Sequence, residues 1–143
     1  MAPRASRRTS RGNGFDVLAG RAAVQADTDL EEDITAPMVR EARAMAALAS
    51  RERVHLALMM DISGACGSTG VYNGRRARKQ FATGPGVAGA AVMELGLPVV
   101  SQRDERTLRL VLAKLGAEAD AFFGDGLDHH ERDWYIATFV RAQ

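Results

Sequence analysis

A short apolar stretch that leads straight into a glycine-rich loop constrains this chain more than any other feature. Residues 54–60 are apolar except for His55, which is typical of a buried strand. Residues 61–70 follow, with three glycines and several hydroxyl side chains around the single cysteine, Cys66. This composition favours a tight loop over a helix or a strand. Because open α/β sheets usually bind ligands at the carboxyl ends of their strands, residues 63–70 are a candidate ligand site.

The sequence leaves two interpretations of Cys66 open. An unpaired cysteine is commonly a packed, unreactive side chain that behaves as a small hydrophobe. In an accessible glycine-rich loop it is instead a reactive thiol or a metal ligand.

Composition limits the partners of the chain. With 143 residues, 46% of them hydrophobic, it is long enough for one domain with its own core. The net charge of +1 gives no general attraction to nucleic acid, and no apolar stretch is long enough to cross a membrane. One cysteine excludes an internal disulfide. We therefore expect a cytoplasmic protein without nucleic acid or membrane partners.

The pattern along the chain predicts three parts. Residues 1–13 are rich in arginine and poor in apolar side chains, so they predict a flexible basic tail. Residues 14–116 carry the strand and helix patterns of an α/β domain, and residues 117–143 predict a helical extension. In detail, the pattern predicts extended pieces at 15–18 and 21–24, and then a helix that Asp33 or Thr35 can cap. It goes on to predict a strand at 54–60, a helix at 87–95, a strand at 97–100, a helix at 105–115 and a last helix from about His129. The strand–loop–helix–strand order at 54–100 indicates a βαβ unit with parallel strands.

Two polar clusters have open roles. The basic cluster Arg75–Lys79 is either a solvated loop or a contact for an anionic ligand. The cluster Asp128–Asp133 contains two histidines, but adjacent histidines on a helix point in different directions. A polar helix start with Asp128 as the cap explains this cluster better than a metal site.

Several motifs together resemble a bacterial family that includes the thiouracil desulfurases. The run Ser-Gly-Ala-Cys-Gly-Ser at 63–68 resembles the family's Ser-Pro-Ser-Cys-Gly-Ser signature, and Tyr-Asn-Gly at 72–74 its Tyr-Asp-Gly turn. The segments 12–22, 86–91 and 96–101 are also similar to the family. The resemblance covers roughly residues 12–101.

The resemblance implies a cofactor and a set of site residues. In this family the enzyme binds a 4Fe–4S cluster through three cysteines, which leaves one iron open for the sulfur of the substrate. Cys66 matches the last of these ligands, and Gly67 and Ser68 complete the cluster-binding loop. Ser63 matches a serine thought to act beside the substrate. A thiolate is the usual ligand of such a cluster.

The chain departs from the family pattern at its start and inside the signature. Family members begin with a segment that bears two more cysteine ligands and a glutamate thought to be the acid/base group. This chain has no second cysteine, and Gly64 and Ala65 replace Pro and Ser of the signature. One thiolate cannot hold a cubane cluster within one chain. We therefore expect a truncated or frameshifted copy, a site completed by another polypeptide, or a scaffold with a different role.

These observations predict a fold and two alternative functions. The fold is α/β, with Rossmann-like βαβ layers, a small parallel sheet flanked by helices, and a carboxyl-terminal helical extension. The first function is a desulfurase-like domain that acts on thiolated pyrimidine bases and is incomplete or inactive alone. The alternative is a non-enzymatic small-ligand or protein-interaction domain that uses the loop at 63–70. If strands of the sheet are missing, an exposed edge should bind a partner chain or a second copy.

Overall fold

The computed structural model describes residues 7–26, 32–74, 80–118 and 124–140. Residues 1–6 of the predicted tail and the basic cluster Arg75–Lys79 lie outside this part. The elements in chain order are β1 Arg7–Ser10, α1 Gly14–Leu18, β2 Ala23–Ala26, α2 Thr35–Arg51, β3 Ala57–Met59, β4 Gly70–Tyr72, β5 Phe81–Thr83, α3 Val87–Met93, β6 Val99–Ser101 and α4 Glu105–Lys114. The carboxyl-terminal segment (residues 124–140) contains a 3₁₀ turn His129–Glu131, a helical turn α5 Asp133–Tyr135 and a π-helix Ile136–Val140.

The predicted parallel pair is present and confirms the α/β fold. β3 pairs with β6 in parallel register, with Leu58 opposite Val100, and α3 lies between the two strands in the chain. β3 is shorter than the predicted strand at 54–60, and His55 is exposed outside it. Two antiparallel pairs, β1–β2 and β4–β5, complete the described sheets. The turn predicted at Asn73-Gly74 follows β4 directly.

The core lies where α1, α2 and β2 meet α3. Its fully or nearly fully buried residues are Val17, Val24, Ala42, Ala46, Val87 and Ala91. Alanines on the facing sides of the helices let α2 and α3 approach closely. α2 begins at Thr35, but the predicted cap at Asp33 or Thr35 is wrong, because Ile34 is the cap and no side chain caps the helix. The carboxylate of Asp33 accepts from the N–H of Thr35 at 2.8 Å and so shapes the turn just before the helix.

The flexible tail predicted for residues 1–13 does not extend to residues 7–13. Arg7–Ser10 forms β1, which pairs antiparallel with β2. Thr9 is fully buried, its hydroxyl donates to the carbonyl oxygen of Gly12, and the same hydroxyl oxygen lies 3.3 Å from the carbonyl oxygen of Tyr72. Pairing with β2 satisfies the hydrogen-bonding groups of this backbone segment, and composition alone cannot show such pairing.

The extended piece predicted at 15–18 is wrong, because these residues form the helix α1. The side chain of Asn13 accepts from the N–H of Phe15 at 2.9 Å, and the carboxylate of Asp16 accepts from the N–H of Asn13 at 3.1 Å. This reciprocal capping starts a helix in a stretch whose apolar pattern fits a strand equally well.

β3 has one free edge in the described part of the chain, where its only strand partner is β6. Two large apolar side chains beside this edge are exposed, Leu58 by 58% and Met60 by 60%. Parallel strands are usually covered on both faces, so this surface is unusual. None of the described helices is long and apolar enough to span a membrane.

Candidate functional site

The cysteine loop lies at the carboxyl end of β3 and faces the start of α3, as the sequence predicts. The N–H groups of Gly86 and Val87 donate to the carbonyl oxygens of Gly67 and Gly64 at 2.8 and 3.1 Å. The N–H of Ala88 donates to the carbonyl oxygen of Ala65 at 2.8 Å. The N–H groups at the start of the helix have no partner within the helix, and here they donate to the backbone of the loop.

Three glycines allow the loop and the helix to touch backbone to backbone. A Cβ atom on Gly86 would lie 2.4 Å from the carbonyl oxygen of Ser63. A Cβ on Gly67 would lie 2.5 Å from the same oxygen, and one on Gly89 would lie 2.6 Å from the carbonyl oxygen of Gly67. Because these neighbours are backbone atoms, any larger residue would have to displace the loop.

The structure brings the predicted site residues Ser63 and Cys66 together. The thiol Sγ of Cys66 lies 3.6 Å from the hydroxyl Oγ of Ser63, and Cys66 is half-buried. The same Oγ accepts from the N–H groups of Ala65 and Cys66, both at 3.3 Å. Ser63 therefore organises the turn that presents the thiol.

The other two predicted residues, Gly67 and Ser68, lie deeper in the loop. The N–H of Gly67 donates to the carbonyl oxygen of Ser63 at 2.8 Å, and that of Ser68 to Met60 at 3.0 Å. Ser68 is only 3% exposed, and its hydroxyl has no hydrogen-bond partner within the described residues. Both residues shape the loop through their backbone N–H groups.

Asp61 anchors the loop, a role that the sequence did not indicate. It is 4% exposed, and its Oδ1 accepts from the N–H of Ile62 at 2.8 Å and from Thr69, whose N–H and hydroxyl lie at 3.3 and 2.7 Å. Ile62 has a φ of +54°, which a β-branched residue rarely adopts. Such a conformation costs about 1–3 kcal/mol, and it persists where its surroundings hold it in place.

The carboxyl-terminal segment brings Tyr135 close to Asp61 and Asp104. Burial raises the pKa of Tyr135, and the negative charges of Asp61 and Asp104 raise it further. No motif or spacing in the sequence marks Tyr135 as a neighbour of these carboxylates.

Asp104 and His129 hold the segment against the end of β6. The carboxylate of Asp104 accepts from the N–H of Ser101 at 2.9 Å and from the N–H of His129 at 3.0 Å. It also contacts the Nδ1 atom of His129. The ring of His129 lies edge-on to that of Tyr135, with 4.7 Å between the ring centroids.

Asp128 links the segment to α4. Its carboxylate accepts from the N–H and the hydroxyl of Thr107 at 3.0 and 2.7 Å. Burial opposes its ionisation, but these hydrogen bonds outweigh that effect and hold the pKa of Asp128 below its usual value. The N–H of Asp128 donates to the carboxylate of Glu131 at 2.8 Å. These contacts make Asp128 a structural residue at the start of the 3₁₀ turn.

The donor atoms of this chain do not fit a 4Fe–4S cluster. Cys66 is its only cysteine, so the chain supplies one thiolate. Within the described ranges, no three His, Cys, Asp or Glu side chains lie close enough to hold a metal ion.

Comparison with known proteins identifies the family. The model of the 2-thiouracil desulfurase family matches residues 1–104. The chain belongs to this family. The solved structure of TudS, a [4Fe–4S]-dependent thiouracil desulfidase, is similar at 25% identity and a TM-score of 0.57. The match covers 75% of this chain and 64% of TudS, and no curated protein matches the chain.

Family membership confirms the resemblance read from the cysteine loop. The loop lies inside the matched residues 1–104, whereas the carboxyl-terminal segment lies beyond them. Tyr135 and His129 therefore lie outside the part of the chain that the family model matches.

Proposed function

We propose that this chain is a desulfurase-like domain that takes part in removing sulfur from thiolated pyrimidine bases. The observation that supports this most is the pairing of Ser63 and Cys66 in one loop at the carboxyl end of β3. These two residues match the signature positions that, by the resemblance, act beside the substrate and bind the cluster. The [4Fe–4S] dependence of TudS supports the same assignment.

The domain is incomplete with respect to the cluster, and in this proposal it is inactive alone. Cys66 contributes one thiolate, so the remaining cluster ligands have to come from outside this sequence, for example from another polypeptide or from further copies of the chain.

Ser63 is suited to orient the base. In the described contacts its Oγ accepts hydrogen bonds, so its hydroxyl proton remains available to a ligand. A donated hydrogen bond would stabilise negative charge on the thiocarbonyl group as sulfur leaves. The overall exchange replaces C=S with C=O, consumes one water molecule and releases hydrogen sulfide.

The test is the formation of uracil from 2-thiouracil under anaerobic conditions. The chain is incubated with iron, sulfide and a synthetic peptide that carries the family's amino-terminal cysteine segment. We expect uracil only when the peptide is present, because the chain lacks the other thiolates. Ser63→Ala should lower the rate by about 100-fold, as removing one hydrogen-bond donor to developing negative charge commonly does. Ser50→Ala, at an exposed position on α2, is the matched control and should keep the full rate.

The alternative function makes the opposite prediction in the same experiment. A non-enzymatic domain would bind 2-thiouracil or another small ligand through the loop at 63–70. It would form no uracil, even when the missing thiolates are supplied. Saturable binding with no turnover would contradict the desulfurase proposal.

The free edge of β3 is the proposed contact for a partner chain or a second copy. Exposed apolar residues beside an unpaired strand favour association. We expect sedimentation to show a mass that rises with protein concentration, and Leu58→Lys to abolish this rise. Leu115→Lys changes a leucine at the end of α4 that is 75% exposed, and it should leave association intact. A monomer at every concentration would contradict the proposal.

A further inference from the structure

We infer that Asp61 is a positioning residue of the Cys66 loop, which holds Ile62 in a strained backbone conformation and so fixes Ser63 beside the thiol. The inference rests on the proposed function only in treating Ser63 and Cys66 as the site. It goes beyond that function because it assigns the geometry of the pair to a carboxylate that lies outside the signature at 63–68.

The carboxylate of Asp61 closes the base of the loop with one of its oxygens. Its Oδ1 accepts from the N–H of Ile62 at 2.8 Å and from the N–H and hydroxyl of Thr69 at 3.3 and 2.7 Å. Beside this contact, the N–H of Ser68 donates to the carbonyl oxygen of Met60 at 3.0 Å. Residues 61 and 62 open the loop and residue 69 ends it, so a charged acceptor joins its two ends. Hydrogen bonds to a charged acceptor are the stronger kind.

The second oxygen of Asp61 makes this arrangement unfavourable for stability alone. Asp61 is 4% exposed, and its Oδ2 is buried with no hydrogen-bond partner in the described part of the chain. A buried carboxylate oxygen without a partner lowers the stability of the fold. By contrast, Asp128 uses both of its oxygens, which accept from the N–H and the hydroxyl of Thr107. Asp61 therefore directs all of its described hydrogen bonds to the loop and leaves one oxygen unsatisfied.

Ile62 adds a second unfavourable feature at the next position. Its φ of +54° is a true outlier for a β-branched residue. Such conformations persist only where the surroundings hold them, and they cluster at active sites. The N–H of Ile62 is bound to Asp61, which supplies this restraint. Two adjacent unfavourable features directly before Ser63 indicate that the loop is held in one geometry for its site.

The conformation of Ile62 determines where Ser63 and Cys66 lie. Ile62 directly precedes Ser63, so its dihedral angles set the direction in which the chain continues. The N–H of Ser63 then donates to the carbonyl oxygen of Gly70 at 3.2 Å. The Oγ of Ser63 accepts from the N–H of Cys66 at 3.3 Å and lies 3.6 Å from its Sγ. If Ile62 relaxed to a negative φ, Ser63 would turn away from the thiol, and Asp61 prevents this relaxation.

The experiment measures the rate at which iodoacetamide alkylates Cys66 in the folded chain. Asp61→Ala removes three hydrogen bonds, and we expect a rate about ten-fold higher because the loop opens more often. Asp61→Asn keeps an acceptor oxygen and should raise the rate only about three-fold, since a neutral acceptor binds less strongly.

A second substitution tests the role of the strain. Asparagine adopts positive φ more readily than isoleucine, so Ile62→Asn relieves the conformation that Asp61 restrains. In this background Asp61→Ala should raise the alkylation rate only about two-fold. Loss of a merely structural contact would raise the rate equally with and without Ile62→Asn. If Asp61→Ala does not fold, Asp61→Asn allows the same comparison.

The matched control is Asp128→Ala. Asp128 is also a buried carboxylate, 8% exposed, that binds the N–H and hydroxyl of a threonine, here Thr107 at 3.0 and 2.7 Å. We expect this variant to melt at a lower temperature and to keep the alkylation rate of the unchanged chain. The inference is overturned if Asp61→Ala leaves the rate unchanged, if Ile62→Asn does not reduce its effect, or if Asp128→Ala raises the rate as much. The readout needs neither a cluster nor turnover, so its failure is distinguishable from failure of the uracil test.

Discussion

Replacing Gly86 with alanine is expected to lower the free energy of unfolding by about 3 kcal/mol, since the new Cβ has no space. This atom would lie 2.4 Å from the carbonyl oxygen of Ser63 and 2.7 Å from the carbonyl carbon of Ala65. The backbone of Gly86 has a φ of −69°, which alanine adopts without strain, so the effect is purely steric. For a chain of this size we expect a fall in melting temperature of about 10 °C, measured by circular dichroism.

The matched control is Gly124→Ala. A Cβ on Gly124 would meet only the carboxylate of Glu105 at 3.6 Å, which is an ordinary contact. This variant should melt within about 2 °C of the unchanged chain. Equal melting temperatures for the two variants would mean that the cysteine loop does not pack against the start of α3 as described.

Sequence reasoning succeeded where local chemistry determines structure. The apolar run before Cys66, the glycines around it and the helix that starts at Val87 follow one another in the chain, and together with β6 they form a βαβ unit. Strand and helix signals within such a unit depend on periodicity and glycine chemistry, which can be read directly. The pairing of β3 with β6 then followed from their order in the chain.

Sequence reasoning failed where contacts with residues distant in the sequence determine the structure. β1 looks like a tail by composition, yet Thr9 is fully buried because β2 pairs with this strand. Phe139 looks like one aromatic residue among several in a terminal helix. It is buried against Gly70, which lies more than sixty residues earlier, and the sequence contains no sign of that contact. Long-range pairing of this kind becomes visible only in the folded chain.

The expectation for the cofactor follows from counting thiolates. The monomer should retain iron far below the amount that a 4Fe–4S cluster requires, because one cysteine leaves most of the cluster without protein ligands. Supplying the missing cysteines on a peptide, or pooling Cys66 from several copies in an oligomer, should allow the cluster to bind. Cys66→Ala should abolish that binding, whereas Ser63→Ala should keep it, since Ser63 orients the base and is not a ligand in this account.

The most direct test of the account is therefore iron quantification, together with visible absorption, after anaerobic reconstitution and separation by size. We predict almost no iron in the monomer fraction of the chain alone. With the cysteine peptide we predict about four iron atoms per chain, and this binding should be lost in Cys66→Ala. A stoichiometric cluster in the monomer that survives Cys66→Ala would contradict the account.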